Sequence, residues 1–537
     1  MMDVRTAIDA TQRNRLLSDL EGERFDVLII GAGITGCGIA REAAMRGLST
    51  LLVDAGDIAS GTSGRSSKLI HGGLRYLAQG QMTVVREAAR ERRTLRKIAP
   101  HLSLTNPMVV LARSGKAVRI LKTGMWTYEK LGEVDPAERH VQWDRELIHL
   151  NEPFVDSKDL EGALVYPEYL TDDARLTLAN ARSAAAHGAK VATYTAVVEL
   201  LKENGKVTGA VLTDVATEAV SAIRVHARQV INAAGPWVDI VRKFEDRKAR
   251  NKLQLTKGIH IVVSRSRLPL NNTVVWTAGD GRGLFAVPRG GFVYIGTTDT
   301  FFPKPAYWPE ITREDIIYLT ASADTVFDMD PIRDTDILAL WSGIRPLLGA
   351  RGKKPSEISR RNEIFRGPGG MLTVAGGKLT SFRSMAQRVA DQCEKLLNRK
   401  PGISTTGEIP LPGGDFAGTF AALTEKVRLL GFSEEEAGRL AGLYGNEALE
   451  IFSGESGPAG EAAFAVRFEG ALMLEDYWIR RSARSYFDVN NGIPALESAS
   501  KAMARLLGWS ESKRMAQVDA CVQKQRNIIT RPHDTQP

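Results

Sequence analysis

The sequence predicts a mixed α/β fold with a parallel nucleotide-binding sheet, an antiparallel sheet and a helical C-terminal domain. Three observations predict it. "FDVLII" (Phe25–Ile30) is a continuous apolar run that enters a glycine turn and then an Ala-rich stretch. Within residues 251–300, "GIHIVVS" and "GGFVYIGTTDT" alternate apolar and polar residues, the mark of an antiparallel sheet. Beyond Thr419 the apolar spacing is helical to the end.

Taken in order, "FDVLII" has the apolarity of a strand buried on both faces. "GAGITG" then opens a helix that stops at Gly47, and "STLLVDA" supplies a second strand ending near Asp54. Farther on, "DDARLTLANARSAAAHG" reads as helix, "KVATYTAVVELL" and "GKVTGAVLTD" as strands, and "QVINAAGPW" as a buried strand running into a glycine turn. The Pro/Gly-rich "RKPGISTTGEIPLPGGDFAG" reads as a linker.

Composition narrows the class. The 537 residues are 43% apolar and 25% charged, an ordinary globular balance with room for several domains. A net charge of +8 suits an anionic substrate or a membrane surface. The basic residues are spread along the chain without a nucleic-acid motif, so no nucleic-acid partner is expected. Cys37, Cys393 and Cys521 are scattered, so neither a disulfide framework nor a metal site is expected. The N-terminus lacks the apolar core of a signal peptide, and no run approaches the roughly 18 apolar residues of a membrane span. The expected location is cytoplasmic, or peripheral on the inner membrane face.

Gly31, Gly33 and Gly36 form GxGxxG between a predicted strand and a predicted helix. Gly31 permits the tight turn, Gly33 lets backbone approach a pyrophosphate, and Gly36 lets helix and strand pack closely. The helix N-terminus offers N–H groups to phosphates, and Asp54 can accept from a ribose hydroxyl. FAD is favoured over NAD because further nucleotide-type segments follow far downstream, at "INAAGPW" and "GGKLTSFR" (Gly376–Arg383). A helix starting near Leu379 would aim its positive end at the reduced flavin.

"FDVLIIGAGITGCGIAREAAMRGL", "SSKLIHGGLRYL", "TDDARL", "NAAGPWV", "KGIHIVV", "IGTTDT", "WSGIRPLL" and "GGKLTSFR" follow one another in this order. Together they resemble the FAD-dependent glycerol-3-phosphate dehydrogenases. The resemblance covers residues 24–400 and extends more loosely to "EDYWIRRSARSYF". It implies oxidation of sn-glycerol 3-phosphate to dihydroxyacetone phosphate, with electrons passing through FAD to membrane quinone. It also implies a Rossmann-like FAD domain interleaved with the substrate sheet. The expected layout is an N-terminal helical extension (1–23), the interleaved pair (24–400), a linker (401–418) and the helical domain (419–537). Asp54 stands where the family more often has glutamate. No calcium-loop pattern is present.

For the cofactor, the resemblance implies contacts from Gly31, Gly33, Gly36, Asp54, Thr62, Ser66, Ser67 and Lys68. Gly72 and Gly73 would let backbone pass close to the flavin. Val198, Ala234, Gly235, Gly377, Lys378, Leu379 and Thr380 complete that set. Arg75, Tyr76, Arg345 and Arg360 would hold the substrate, because guanidinium forks suit a phosphomonoester. His260 is the expected base for the C2 hydroxyl, its ring on the strand face opposite Ile259 and Ile261. Lys378 would stabilise reduced flavin or the developing alkoxide, and His71 would act only at second hand.

"RSGKAVRILKTGMWTYEKLG" (Arg113–Gly132) mixes cations with Ile120, Trp126 and Tyr128, fitting either a helix on anionic lipid or one packed on the protein. The C-terminal helices could cap the site, form a homodimer or dock on lipid. Rival readings are an oxidase using oxygen, an amine or amino-acid oxidoreductase of the same fold, and a dinucleotide-binding regulator.

Overall fold

The structure is a computed structural model that describes residues 7–72, 82–217, 222–349, 362–452 and 457–530. Two sheets organise it. In the first, a mixed sheet, the strand Arg24–Ile30 lies between Thr50–Val53 and Ala222–Asn232, parallel to both. Lys190–Ala192 extends one side in parallel, and Leu372–Gly376 pairs in parallel with the far edge of Ala222–Asn232. Lys206–Asp214 and Thr195–Glu203 add antiparallel strands.

The helix Ile34–Met45 leaves the glycine turn and packs on this sheet, and Asp173–Ala186 packs on that helix. Asp173–Ala186 is buried from Asp173 through Ala184, which explains its small residues. Gly31 sits at φ +111°, a conformation that suits glycine. A Cβ at Gly36 would overlap the Gly31 carbonyl, so helix and strand approach as the spacing predicts.

The second sheet is the larger. Its long strands Leu253–Ser264 and Ile337–Leu348 run antiparallel, placing His260 opposite Trp341 and Thr256 opposite Arg345. Phe292–Gly296 flanks the other side of Leu253–Ser264, with His260 opposite Gly296. Ile259, Ile261 and Val263 enter one core while Val262 enters another, so the strand is buried on both faces. His260 takes the face opposite Ile259 and Ile261, as alternation requires.

The C-terminal helices share a core with this sheet. Tyr294 and Trp341 pack in the same apolar cluster as Tyr477 and Trp478. Buried ion pairs tie them to the nucleotide-binding sheet and its helices. Asp57 accepts from Arg480 Nε at 2.5 Å and from Arg481 Nη2 at 2.8 Å, while Arg175 meets Glu469 and Arg182 meets Glu447. Among the described residues, no helix is long and apolar enough to cross a membrane.

Candidate active site

A cavity of about 490 Å³ opens at the C-terminal ends of the parallel strands. That is where a doubly wound sheet places its ligands. Gly31, Gly33, Asp54, Thr62 and Ser66 line it, as do Ala234, Gly235, Gly377, Lys378 and Leu379. Segments distant in sequence therefore converge on one elongated wall. Trp237 and Tyr307, with ring centroids 4.6 Å apart, form an aromatic part of that wall that the sequence reading missed.

Asp54 holds the glycine turn from the end of its strand. Its carboxylate accepts from Ala32 N at 2.6 Å and Gly56 N at 2.7 Å. Burial raises its pKa to about 6 despite those two hydrogen bonds, with Asp57 adding to the rise. Ser63 Oγ accepts from Ile34 N at 2.9 Å, capping the helix where the phosphates are expected. Its only signal was a position between Gly61 and Gly64.

Several expected cofactor contacts lie elsewhere. Lys68 is buried and donates to Asp173 Oδ1 at 2.5 Å, so its ammonium serves the interior. Ser67 Oγ pairs with His260 Nε2 at 3.0 Å instead of lining the cavity. Gly72 N donates to Glu168 Oε1 at 2.8 Å, and a Cβ there would strike Tyr128. Gly72 is thus small to fit a tyrosine. Val198 is 48% exposed; it is the extra residue of a bulge between Val197 and Glu199, and Val197 lines the wall instead. Thr380 is buried and donates to the His71 carbonyl at 3.2 Å. Gly36 serves packing. Gly73, Arg75, Tyr76 and Arg360 lie outside the described residues.

His260 and Arg345 come together on one sheet face. A Cβ at Gly258 would overlap the Arg345 guanidinium, and Gly258 and His260, two residues apart, share that face. Arg345 donates to the Thr298 carbonyl and Asp299 Oδ1, each at 3.1 Å, and to Thr297 Oγ1 at 2.9 Å. The acid partner Asp299 was already visible in "IGTTDT" but carried no expected role.

His260 stacks on Trp341 at 4.6 Å between centroids. Tyr294 donates to the Ser67 carbonyl at 2.9 Å and Trp341 Nε1 to the Ser66 carbonyl at 3.1 Å, fixing the segment that meets the imidazole. Burial first, then the charges of Arg345 and Lys68, push the His260 pKa well below the usual histidine range. The ring is neutral at pH 7 and able to accept a proton.

The cavity fits FAD. Its glycine edges admit close backbone approach, its carboxylate can accept ribose hydroxyls, and its length draws on three distant segments. Residues 26–392 match the model of the FAD dependent oxidoreductases, and residues 404–514 match the C-terminal domain of alpha-glycerophosphate oxidase. An aerobic glycerol-3-phosphate dehydrogenase of Staphylococcus aureus (strain MRSA252) is 36% identical over 97% of this chain and 97% of its own. The chain belongs to the FAD-dependent glycerol-3-phosphate dehydrogenases.

Members of this family use FAD as cofactor, and this chain is an FAD-dependent oxidoreductase. The glycerol-3-phosphate dehydrogenase from Bacillus halodurans, solved in complex with FAD, superposes with a TM-score of 0.82 at 30% identity. That match covers 98% of this chain and 100% of the other. Glycine oxidase from Geobacillus kaustophilus, at 21% identity and a TM-score of 0.53, shares the fold over 72% of this chain and 98% of its own.

Proposed function

We propose that the chain oxidises sn-glycerol 3-phosphate to dihydroxyacetone phosphate and passes the electrons to a membrane quinone. FAD, when bound, supplies the acceptor for the hydride leaving C2. The chain's own residues supply the rest. Arg345, already fixed by Thr297 and Asp299, offers the planar cation that a phosphomonoester needs. Neutral His260, braced by Trp341 and Ser67, takes the C2 hydroxyl proton as the hydride leaves. Lys378, at the start of the 3₁₀ turn Leu379–Ser381, places positive charge on the cavity wall. Arg75, Tyr76 and Arg360 complete the substrate set in this reading.

The observation that carries it is Arg345 and His260 on one face of the second sheet, beside a cavity shaped for a dinucleotide. A buried neutral base next to a fixed guanidinium suits a phosphorylated alcohol, and since a guanidinium also grips a carboxylate, the relatives' substrate favours the phosphate over an amino acid. Anaerobic addition of glycerol 3-phosphate to the FAD-loaded protein bleaches the flavin absorbance in this reading. Recolouring by a quinone analogue but only slowly by air marks a dehydrogenase. Rapid recolouring by air marks an oxidase.

Membrane contact fits the helix Gly115–Gly132. Its outer face exposes Lys116, Arg119 and Lys122 together with Ile120 at 62% and Trp126 at 59%. Tyr128 and Met125 are buried on the inner face. An aromatic and an aliphatic anchor among cations suit the headgroup layer of anionic lipid. Co-sedimentation with anionic vesicles, lost in Trp126→Glu, tests this placement on the inner membrane face.

A further inference from the structure

The segment "FFPKPAYWPE" (301–310) continues from the strand Thr300–Phe301 and passes the cofactor cavity, where Tyr307 joins the lining. Its two ends are pinned. Phe302 N donates to the Leu255 carbonyl at 3.0 Å, and the Pro309 carbonyl accepts from Ser342 Oγ at 2.5 Å. Between those pins the chain has neither helix nor strand, and prolines at 303 and 305 withhold two backbone donors. Among the described residues, none makes a backbone–backbone hydrogen bond with residues 303–308. This strap is held by its side chains.

Two aromatic residues do the holding. Tyr307 packs on Trp237 with centroids 4.6 Å apart, and it lines the cavity while remaining 39% exposed. Ile240 lines the cavity at 45% exposed, so both residues stand at the cavity's mouth. Trp308 packs against the core shared with the C-terminal helices. Two cations rest on its ring: the Arg65 guanidinium at 3.8 Å from the ring centre, and the Lys524 ammonium at 5.1 Å. Arg65 is buried and tied to the Ser60 carbonyl. Lys524 comes from the helix Glu511–Lys524 in the C-terminal domain, where it pairs with Glu475.

Beside the strap lies an open cleft of about 630 Å³, lined by Phe301, Phe302, Pro303 and Pro305. Pro236 and Ile240 line both this cleft and the cofactor cavity. The strap and these two residues are therefore the partition between the two spaces. A segment without backbone hydrogen bonds opens at lower free energy than the sheet beside it. Opening this one joins cleft and cavity.

We propose that residues 303–308 form a gate through which FAD enters and leaves, latched from the C-terminal helical domain by Lys524. Tyr307 on Trp237 closes the mouth. Trp308, under Arg65 and Lys524, keeps it closed. Lys524 is not among the residues that line the cavity, so the helical domain sets how long the cofactor stays without touching it.

Exchange of bound FAD against excess radiolabelled FAD, counted after rapid desalting of the holoenzyme, tests the gate. Tyr307→Ala removes the closing ring and should quicken exchange about tenfold. Lys524→Gln should quicken it about two- to fivefold, and Lys524→Arg, which keeps a cation for the Trp308 ring, should hold the wild-type rate. Lys513 lies over Trp509 on the same helix and away from the strap, so Lys513→Gln should also exchange at the wild-type rate.

Exchange no faster in Tyr307→Ala than in the wild type overturns the gate. Exchange unchanged in Lys524→Gln, or quickened equally in Lys513→Gln or Lys524→Arg, overturns the latch. The assay follows the cofactor and not turnover, so it stands or falls independently of the substrate assignment.

Discussion

The imidazole of His260 lies flat against the indole of Trp341, centroids 4.6 Å apart and planes 13° apart, on adjacent strands that pair these two residues directly. The indole N–H is spent on the Ser66 carbonyl, so one tryptophan orients both the imidazole and the segment bearing its partner Ser67. Trp341→Phe keeps an aromatic face but loses that hydrogen bond and part of the stack. Steady-state assays should show kcat falling about tenfold with KM changed less than threefold, as expected when a base is mispositioned without loss of substrate contacts.

With His260 as the proposed base, its lowered pKa predicts the pH profile. Its neutral, proton-accepting form persists well below pH 6.5, because burial and then Arg345 oppose the imidazolium. The acid limb of kcat/KM attributable to this group should fall below pH 6 in the wild type. A limb centred at 6.5 or above would remove His260 as the base. His260→Asn should lower kcat by about 10²- to 10⁴-fold with flavin content unchanged.

Arg345→Lys keeps the charge and loses the planar fork. KM for glycerol 3-phosphate should rise by about 10²-fold, corresponding to about 2.7 kcal/mol, while kcat at saturation changes less. Initial-rate assays with a dye acceptor read this directly.

Asp54 makes stability fall with rising pH within one window. Its folded pKa of about 6 lies above the unfolded carboxylate value, so the native apoprotein holds a proton there that the unfolded chain has released. Thermal melts of the FAD-free protein should show Asp54 lowering stability as pH climbs from about 4 to about 6. The slope difference between wild type and Asp54→Asn isolates that contribution. If Asp54 holds the ribose, FAD affinity should fall in the variant, because Asn offers one acceptor oxygen where the carboxylate offers two.

Arg481 is fully buried against Asp57 in the joint between the helical domain and the nucleotide-binding sheet. Arg481→Met leaves that carboxylate with Arg480 alone and should cost about 3–5 kcal/mol, read as a lower midpoint in urea.

Local pattern carried much of this protein. The glycine fingerprint and its acid were legible because tight turns and buried parallel strands leave one-dimensional signatures, and the His260 face followed from strand alternation. The glycine turns at residues 234–235 and 376–377, which line the same cavity as the fingerprint, favoured FAD for the same reason. Contacts across long sequence separation were not legible. Lys68 looks like a cofactor ligand in its motif, yet Asp173 claims it from a helix more than a hundred residues away. Gly72 looks like a flavin-facing turn, yet it is small to admit Tyr128.

The sequence alone therefore determined the cofactor class and the fold class, and it singled out His260 and Arg345 as the residues proposed for the base and the phosphate site. Each of these rests on backbone geometry or on a chemical demand that few residue types can meet. Only the tertiary structure decided which cations face buried carboxylates, and that Trp341 stacks on His260. It also decided that the helical domain reaches the strap beside the cofactor cavity. A buried charge takes whichever partner the packing brings within hydrogen-bond reach, and the chain order does not encode that choice.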